Sequence, residues 1–153
     1  MKREDTLDYH IKTAWHAIAR MYNQQAAHYG GTMSVGYVLL NIDSEEGAAA
    51  TKIAPQMGLE ARSLTRILKS MEEKELIFRA PDLNDRRGVR IFLTDKGIEM
   101  KNKARETVLQ FNNVMREIIP QEKLNSFFEV LESVNKAIEG NKIYTPVSTH
   151  SQA

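Results

Sequence analysis

Apolar positions recur along this chain at helical spacing and switch once, near its middle, to strict alternation. Leu7, Ile11, Trp15, Ile18 and Tyr22 share one helical face, which predicts a first helix from about Thr6 to about Tyr29, ended by Gly30-Gly31. Thr32 or Ser34 then caps a second helix. Its apolar residues Val35, Tyr37, Val38, Leu39, Leu40 and Ile42 are nearly continuous, so it is expected to be buried on most sides and to end at Asp43 to Gly47. A short helix is expected over about Ala50 to Met57. Pro55 lies within it, and because proline is tolerated only near a helix start, that helix is expected to begin late or to be irregular.

Gly58 supplies a turn before the next helix, on which Leu64, Ile67, Leu68 and Met71 form an apolar face. Arg62, Thr65, Arg66, Lys69 and Glu73 occupy the opposite face. Past Glu75 the period falls to two: Val89, Ile91 and Leu93 alternate with Arg90, Phe92 and Thr94, as in a strand with one buried face. Ile77 to Arg79 is the expected partner strand. Between them lies Pro81-Asp82-Leu83-Asn84-Asp85-Arg86-Arg87-Gly88, a run of turn formers carrying two adjacent arginines. A helix-turn-helix followed by a basic-tipped hairpin is a winged helix. Thr94 and Asp95 begin a long helix with Ala104, Val108, Phe111, Met115 and Ile118 on one face, up to Pro120, which is preset for the first turn of another. The last helix carries Leu124, Phe127, Phe128, Leu131, Val134 and Ile138. Gly140 is expected to stop it, leaving a loose tail over 141–153.

The segments SLTRILKSMEEKELIFR and DLNDRRGVRIFLTDKG resemble the signature of the MarR family of transcriptional regulators. The resemblance is close over about forty residues, and helices of matching order extend it to nearly the whole chain. It implies a mainly α fold with a small β-hairpin wing, in which a winged helix-turn-helix over 32–97 is flanked by dimerisation helices over 6–30 and 98–140. It further implies a homodimer on palindromic double-stranded DNA, often released by a small aromatic effector or by oxidation. Carried onto this chain, Arg62, Ser63, Thr65 and Arg66 lie at the end of the recognition helix that enters a major groove, with Lys69 farther along as a phosphate contact. On the wing, Arg87 is the arginine implied to enter the minor groove, Arg86 is the spare, and Asp85 is the residue that would hold the Arg87 guanidinium extended.

Charge supports this division. The chain of 153 residues has a formal charge of only +1, but Lys52 to Arg105 holds 13 basic against 8 acidic residues, with acidic flanks on either side. A polyanion partner is expected for the middle alone; the plainer alternative is a solvated face of mixed charge. With no cysteine there is no disulfide, no thiolate metal site and no thiol switch. His10, His16, His28 and His150 lack metal-ligand spacing, and no nucleophile, phosphate loop or cofactor motif is present, so neither an enzyme nor a cofactor is expected. The start MKREDTLDYH has no apolar signal core, and no stretch has the length of a membrane span; a cytoplasmic protein is expected.

Trp15, His16 and Tyr37 are candidates for an effector pocket suited to an aromatic acid, against the alternative that aromatics at helical spacing are core. The terminal helices are more apolar than a small wing domain needs. That favours packing against a second copy over an all-intramolecular core. The expected function is a ligand-responsive repressor; the alternatives are an activator of the same family or a winged-helix module that docks on protein.

Overall fold

A computed structural model describes residues 1–144; the rest of the tail, with His150, lies outside the described residues. A 3-10 turn at Arg3–Asp5 precedes α1 (Leu7–Ala27), α2 (Met33–Leu40), β1 (Ala48–Ala49), α3 (Ala50–Met57), α4 (Ala61–Glu73), β2 (Ile77–Pro81), β3 (Val89–Leu93), α5 (Asp95–Ile118) and α6 (Gln121–Glu139). Two compact units result, Met1–Gln110 and the part from Phe111 onward, the division falling within α5.

In the first unit the predicted stripes converge on one core. Val35, Val38 and Leu39 of α2, Ile53 and Ala54 of α3, and Leu64, Leu68 and Met71 of α4 are buried with Leu76, Ile77, Ile91 and Leu93. At α2, Thr32 rather than Ser34 is the cap, its hydroxyl oxygen accepting from the Val35 amide at 3.2 Å, a bond worth about 1 kcal/mol in such positions. α3 does not begin late. It starts at Ala50 and contains Pro55 in its last turn. The bond that Pro55 cannot donate is lost, but Ile53 is fully buried, and burial of such a side chain contributes roughly 1.5–3 kcal/mol.

The sheet has three antiparallel strands in the order β1-β3-β2, one more than the hairpin expected from the alternation. Ile77 pairs with Leu93, Phe78 with Phe92 and Arg79 with Ile91, while Ala48 pairs with Ile91 on the other side. Two alanines carry no alternation to read, so nothing in the periodicity marks β1. Gly47, before β1, has φ +68°, and a Cβ there would lie 2.3 Å from the Ile91 carbonyl oxygen, so only glycine lets the chain approach β3 this closely.

α4 ends in a Schellman turn: the Leu76 amide donates to the Met71 carbonyl at 2.9 Å and the Glu75 amide to Glu72 at 3.0 Å. The residue in the left-handed region is Glu75, at φ +58°, where glycine is usual. α6 closes with a similar pair of bonds, but the left-handed residue is Asn141 at φ +51°, not Gly140 at φ −80°. Pro120 precedes the first turn of α6 instead of occupying it, its carbonyl accepting from the Lys123 and Leu124 amides. In this second unit no residue of α6 is buried; Phe127, Phe128 and Ile138 are each about half exposed.

The Glu75 conformation gives a test. Glu75→Gly should raise unfolding stability by about 0.5–1 kcal/mol in chemical denaturation, the relieved left-handed strain exceeding the entropy that glycine adds to the unfolded chain. A destabilised Glu75→Gly protein would mean that the Glu75 side chain makes up for the strain.

Candidate nucleic-acid interface and adjoining cavity

The outer face of α4 is as the spacing predicts. Leu64, Leu68 and Met71 point into the core, and Arg62, Ser63, Thr65, Arg66 and Lys69 are exposed. Thr65 differs from the others: its hydroxyl donates to the Ala61 carbonyl at 2.8 Å, leaving an acceptor lone pair and a methyl group for any partner. Arg62, Arg66 and Lys69 form no ion pair among the described residues.

The wing sorts its four arginines into two kinds. Arg79 pairs with Glu72 of α4, Nε to Oε2 at 3.0 Å. Arg90 donates from Nε to the Glu46 carbonyl at 2.6 Å and lies 3.6 Å from Asp82 Oδ2 through Nη1. These two brace the hairpin against α4 and against the turn before β1. Arg86 and Arg87, at the tip, are exposed and have no ion pair among the described residues. Asp85 does not hold the Arg87 guanidinium; its Oδ1 accepts from the Arg87 main-chain amide at 3.0 Å. Asp82 does the same for the Asn84 amide at 3.0 Å, and the Asp82 amide donates to the Gly88 carbonyl across the loop neck. A short carboxylate reaches an amide two residues on more readily than a guanidinium at the end of a long stem, so both aspartates shape the turn.

The base of the wing is fixed through Asp43. Its Oδ1 accepts from the Glu45 and Glu46 amides, each at 2.8 Å. These bonds, Glu46 first, hold its carboxyl below the ordinary 3.8, with Lys101 and Arg90 adding to the effect and desolvation opposing it. Lys101 of α5 also donates to the Ile42 carbonyl at 2.5 Å, tying α5 to the end of α2.

Beside α2 lies a cleft open to solvent, with only about 20 Å³ of enclosed space. Tyr22 and Ala26 of α1, Tyr29, Thr32, then Met33, Gly36, Tyr37 and Leu40 of α2, and Ala104, Thr107 and Val108 of α5 line it. Of the three residues expected from sequence, only Tyr37 is in the wall. Trp15 touches it indirectly, its ring centroid 6.4 Å from that of Tyr37 and its side chain about half exposed. His16, one helical step of about 100° further round, is exposed and takes no part. Tyr22 packs edge-on to Tyr37 at 6.3 Å. Its place in an apolar helical stripe gives no sign that it borders a cavity. Burial, and secondarily Tyr37, push the Tyr22 phenol up to about 12; burial also raises Tyr37. Among the described residues no group of three His, Cys, Asp or Glu is placed to hold a metal ion, and no helix is long and apolar enough to cross a membrane.

A three-stranded wing behind a helix-turn-helix whose second helix exposes a polar face defines a winged helix-turn-helix protein. Residues 32–89 match the sequence profile of the MarR family. The chain is 37% identical over 100 residues to the HTH-type transcriptional regulator TtmR of Methylorubrum extorquens (strain PA1), a match covering 65% of this chain and 51% of that protein. It spans about half the length of the curated relatives it matches. Among solved structures, the S. aureus MepR–DNA complex superposes with a TM-score of 0.79 at 19% identity, covering 87% of this chain and 98% of that one. CouR from Rhodococcus jostii RHA1, bound to p-coumaroyl-CoA, gives 0.73 at 20% identity over 88% and 94%. The chain carries a MarR family domain, and its fold is the winged helix of that family.

The Asp43 bonds set a pH dependence. Because the folded carboxyl titrates below 3.8, its contribution to stability is present above that pH and is lost as the pH falls through the folded value. Asp43→Ala should therefore melt below the parent at neutral pH, with the gap closing in melts carried out near pH 3 or lower. A gap independent of pH would show that the charged carboxylate is not what fastens the wing.

Proposed function

We propose that this chain is a homodimeric, sequence-specific DNA-binding regulator, a repressor released when a small molecule occupies the cleft beside α2. The observation that carries the reading is the sorting of cations. Arg79 and Arg90 are consumed in bracing the wing, whereas Arg62, Arg66 and Lys69 on α4 and Arg86 and Arg87 on the tip are exposed and unpaired among the described residues. Leaving so many like charges without partners opposes folding and favours a polyanion. In this reading α4 enters a major groove with Arg62, Ser63, Thr65 and Arg66, and the wing lies along the flanking backbone with Arg87 in the minor groove. Asp85 acts on Arg87 through its main chain, setting where the residue stands. The MepR structure, described as a DNA complex, supports the docking; the CouR structure with p-coumaroyl-CoA supports a small-molecule effector. The protein would act in the cytoplasm, with no enzymatic step.

Dimerisation rests on apolar residues that the protomer leaves uncovered. Leu7, Ile11 and Trp15 on α1 and Phe127, Phe128, Val130 and Ile138 on α6 are each between two-fifths and three-fifths exposed, which suits the 6–30 and 98–140 segments to pairing with a second copy. A two-fold protein reads a palindrome, each recognition helix taking one half-site.

Titrations on a defined palindrome test the docking. Arg66→Ala should cost on the order of 1–3 kcal/mol and relax the choice of base, while Arg87→Ala should weaken binding at every sequence. Lys69→Ala should lower the log-affinity against log-salt slope by about one per contact, and twice that per dimer, without reordering sequences. Parental affinity for Arg87→Ala at several salt concentrations would remove the wing from the interface. The dimer is tested apart from DNA. Phe127→Glu combined with Leu131→Glu should leave monomer or aggregate in sedimentation, since each change places a charge against apolar surface; an unchanged dimer mass would rule out this interface.

A further inference from the structure

The cleft beside α2, if it is the effector site proposed for it, also constrains the charge of its guest. Among the described residues its wall contains no lysine, arginine or histidine. The polar groups in the wall are the phenols of Tyr22, Tyr29 and Tyr37 and the hydroxyls of Thr32 and Thr107; the Thr107 hydroxyl donates to the Lys103 carbonyl at 2.9 Å, and that of Thr32 accepts from the Val35 amide. Lys103 lies 5.9 Å above the Tyr29 ring, but it is outside the wall and shares its charge with Glu99 at 3.5 Å.

The start of α2 is the other place an anion might be expected to settle, since Thr32 and Met33 line the cleft. Its amides are committed. Met33 donates to Asn23 Oδ1 at 3.0 Å, Val35 to Thr32 Oγ1 at 3.2 Å and Gly36 to the Thr32 carbonyl at 3.0 Å. Among the described residues, of the first three amides of the helix only that of Ser34 has no bond, too little to receive a carboxylate stripped of water.

We propose that this cleft selects an uncharged planar aromatic compound bearing a hydrogen-bond acceptor, such as an aldehyde, ketone or amide, and discriminates against the corresponding aromatic carboxylate. The rings of Tyr22 and Tyr37 stand nearly perpendicular, at 79°, so one supplies a face and the other an edge for a flat guest. A phenol can donate to a carbonyl oxygen without burying a net charge. The raised Tyr22 and Tyr37 phenols agree, since an environment that resists a buried phenolate resists a buried carboxylate for the same reason. The enclosed space, about 20 Å³, holds little more than a water, so a ring enters only with one edge left in the open mouth of the cleft.

Trp15, the only tryptophan, stands beside Tyr37 and reports on the cleft. The full chain is titrated at neutral pH with two matched pairs, benzamide against benzoate and 4-methoxybenzaldehyde against 4-methoxybenzoate, by Trp15 fluorescence and by calorimetry. The neutral member of each pair should bind at least about tenfold more tightly. Gly36→Met should abolish that binding; a Cβ at Gly36 meets the Ala104 Cβ at 3.5 Å, an ordinary contact, so the added side chain fills the cleft without a clash at its root. Thr107→Met, on the α5 wall, is the second filling variant, for use if the first does not fold. Equal or tighter carboxylate binding overturns the proposal, as does the absence of binding by either class or binding that survives both variants. Neutral binding that leaves operator affinity unchanged supports the ligand class and sinks the effector role. A carboxylate that binds and releases DNA does the reverse.

Discussion

The carbonyl of Leu76 is the point on which the first unit is assembled. It accepts from the Thr94 amide at 3.0 Å, and the first turn of α5 packs so tightly over it that a Cβ on Gly97 would come within 2.0 Å of the oxygen. One residue earlier, the Glu75 carbonyl takes the Thr94 hydroxyl at 2.6 Å; one earlier again, the Lys74 carbonyl takes Lys96 Nζ at 3.1 Å. Three consecutive carbonyls just past the end of α4 are thus satisfied by the entrance to α5. The last-turn carbonyls of Met71 and Glu72 are taken by the Schellman bonds, and the three that follow them become the joint between α4 and the helix that leads away from the wing. Glu75 is held left-handed because the joint requires the reversal at that residue, whatever the local preference of glutamate.

That joint also divides the basic residues. β2 starts one residue after Leu76, so Arg79 comes level with Glu72 on the last turns of α4 and is neutralised there. Arg90, paired across the sheet with Ala80 and Ala49, reaches the turn before β1. Within the wing, the arginines left unpaired among the described residues, Arg86 and Arg87, lie beyond the end of the strand ladder, past Pro81 and before Val89. A formal charge of +1 therefore says little about this surface, because ion pairs remove the basic residues that brace the fold and leave those at its edges.

Helical stripes were legible because burial imposes a period, and the core of α2, α4 and β3 lies where Val38, Leu68 and Ile91 placed it. Local chemistry without a period was not legible. Ala48-Ala49 gives no sign of a strand; what makes it one is the close approach at Gly47, visible only with β3 beside it. Pro55 argues against a helix residue by residue, and burial of Ile53 and Ala54 overrides it. At the candidate interface the residue types could be chosen but not their partners. Four arginines of the wing look alike in a sequence, and the residue type of Asp85 suits a guanidinium as readily as the amide it binds. The cleft was least legible, since Tyr22 and Tyr37 satisfy the pattern of core residues and differ from core only in having space on one side.

That space bears on the regulation proposed above, because α2 and α5 each contribute both to the cleft and to the support of the wing. α2 gives Met33, Gly36, Tyr37 and Leu40 to the cleft and Val35, Val38 and Leu39 to the core behind α4; α5 gives Ala104, Thr107 and Val108 to the cleft and, one turn earlier, Lys101 to the Ile42 carbonyl. Ile42 is followed directly by Asp43, whose carboxylate fastens the turn that Arg90 of the wing holds through Glu46. Under the proposed regulation, a guest wedged between α2 and α5 would load the Lys101 bond and, through Ile42, the turn that positions the wing. A packed core does not absorb such displacements locally, so the ligand proposed for this cleft would have a mechanical route to the wing without touching the surface proposed to meet DNA.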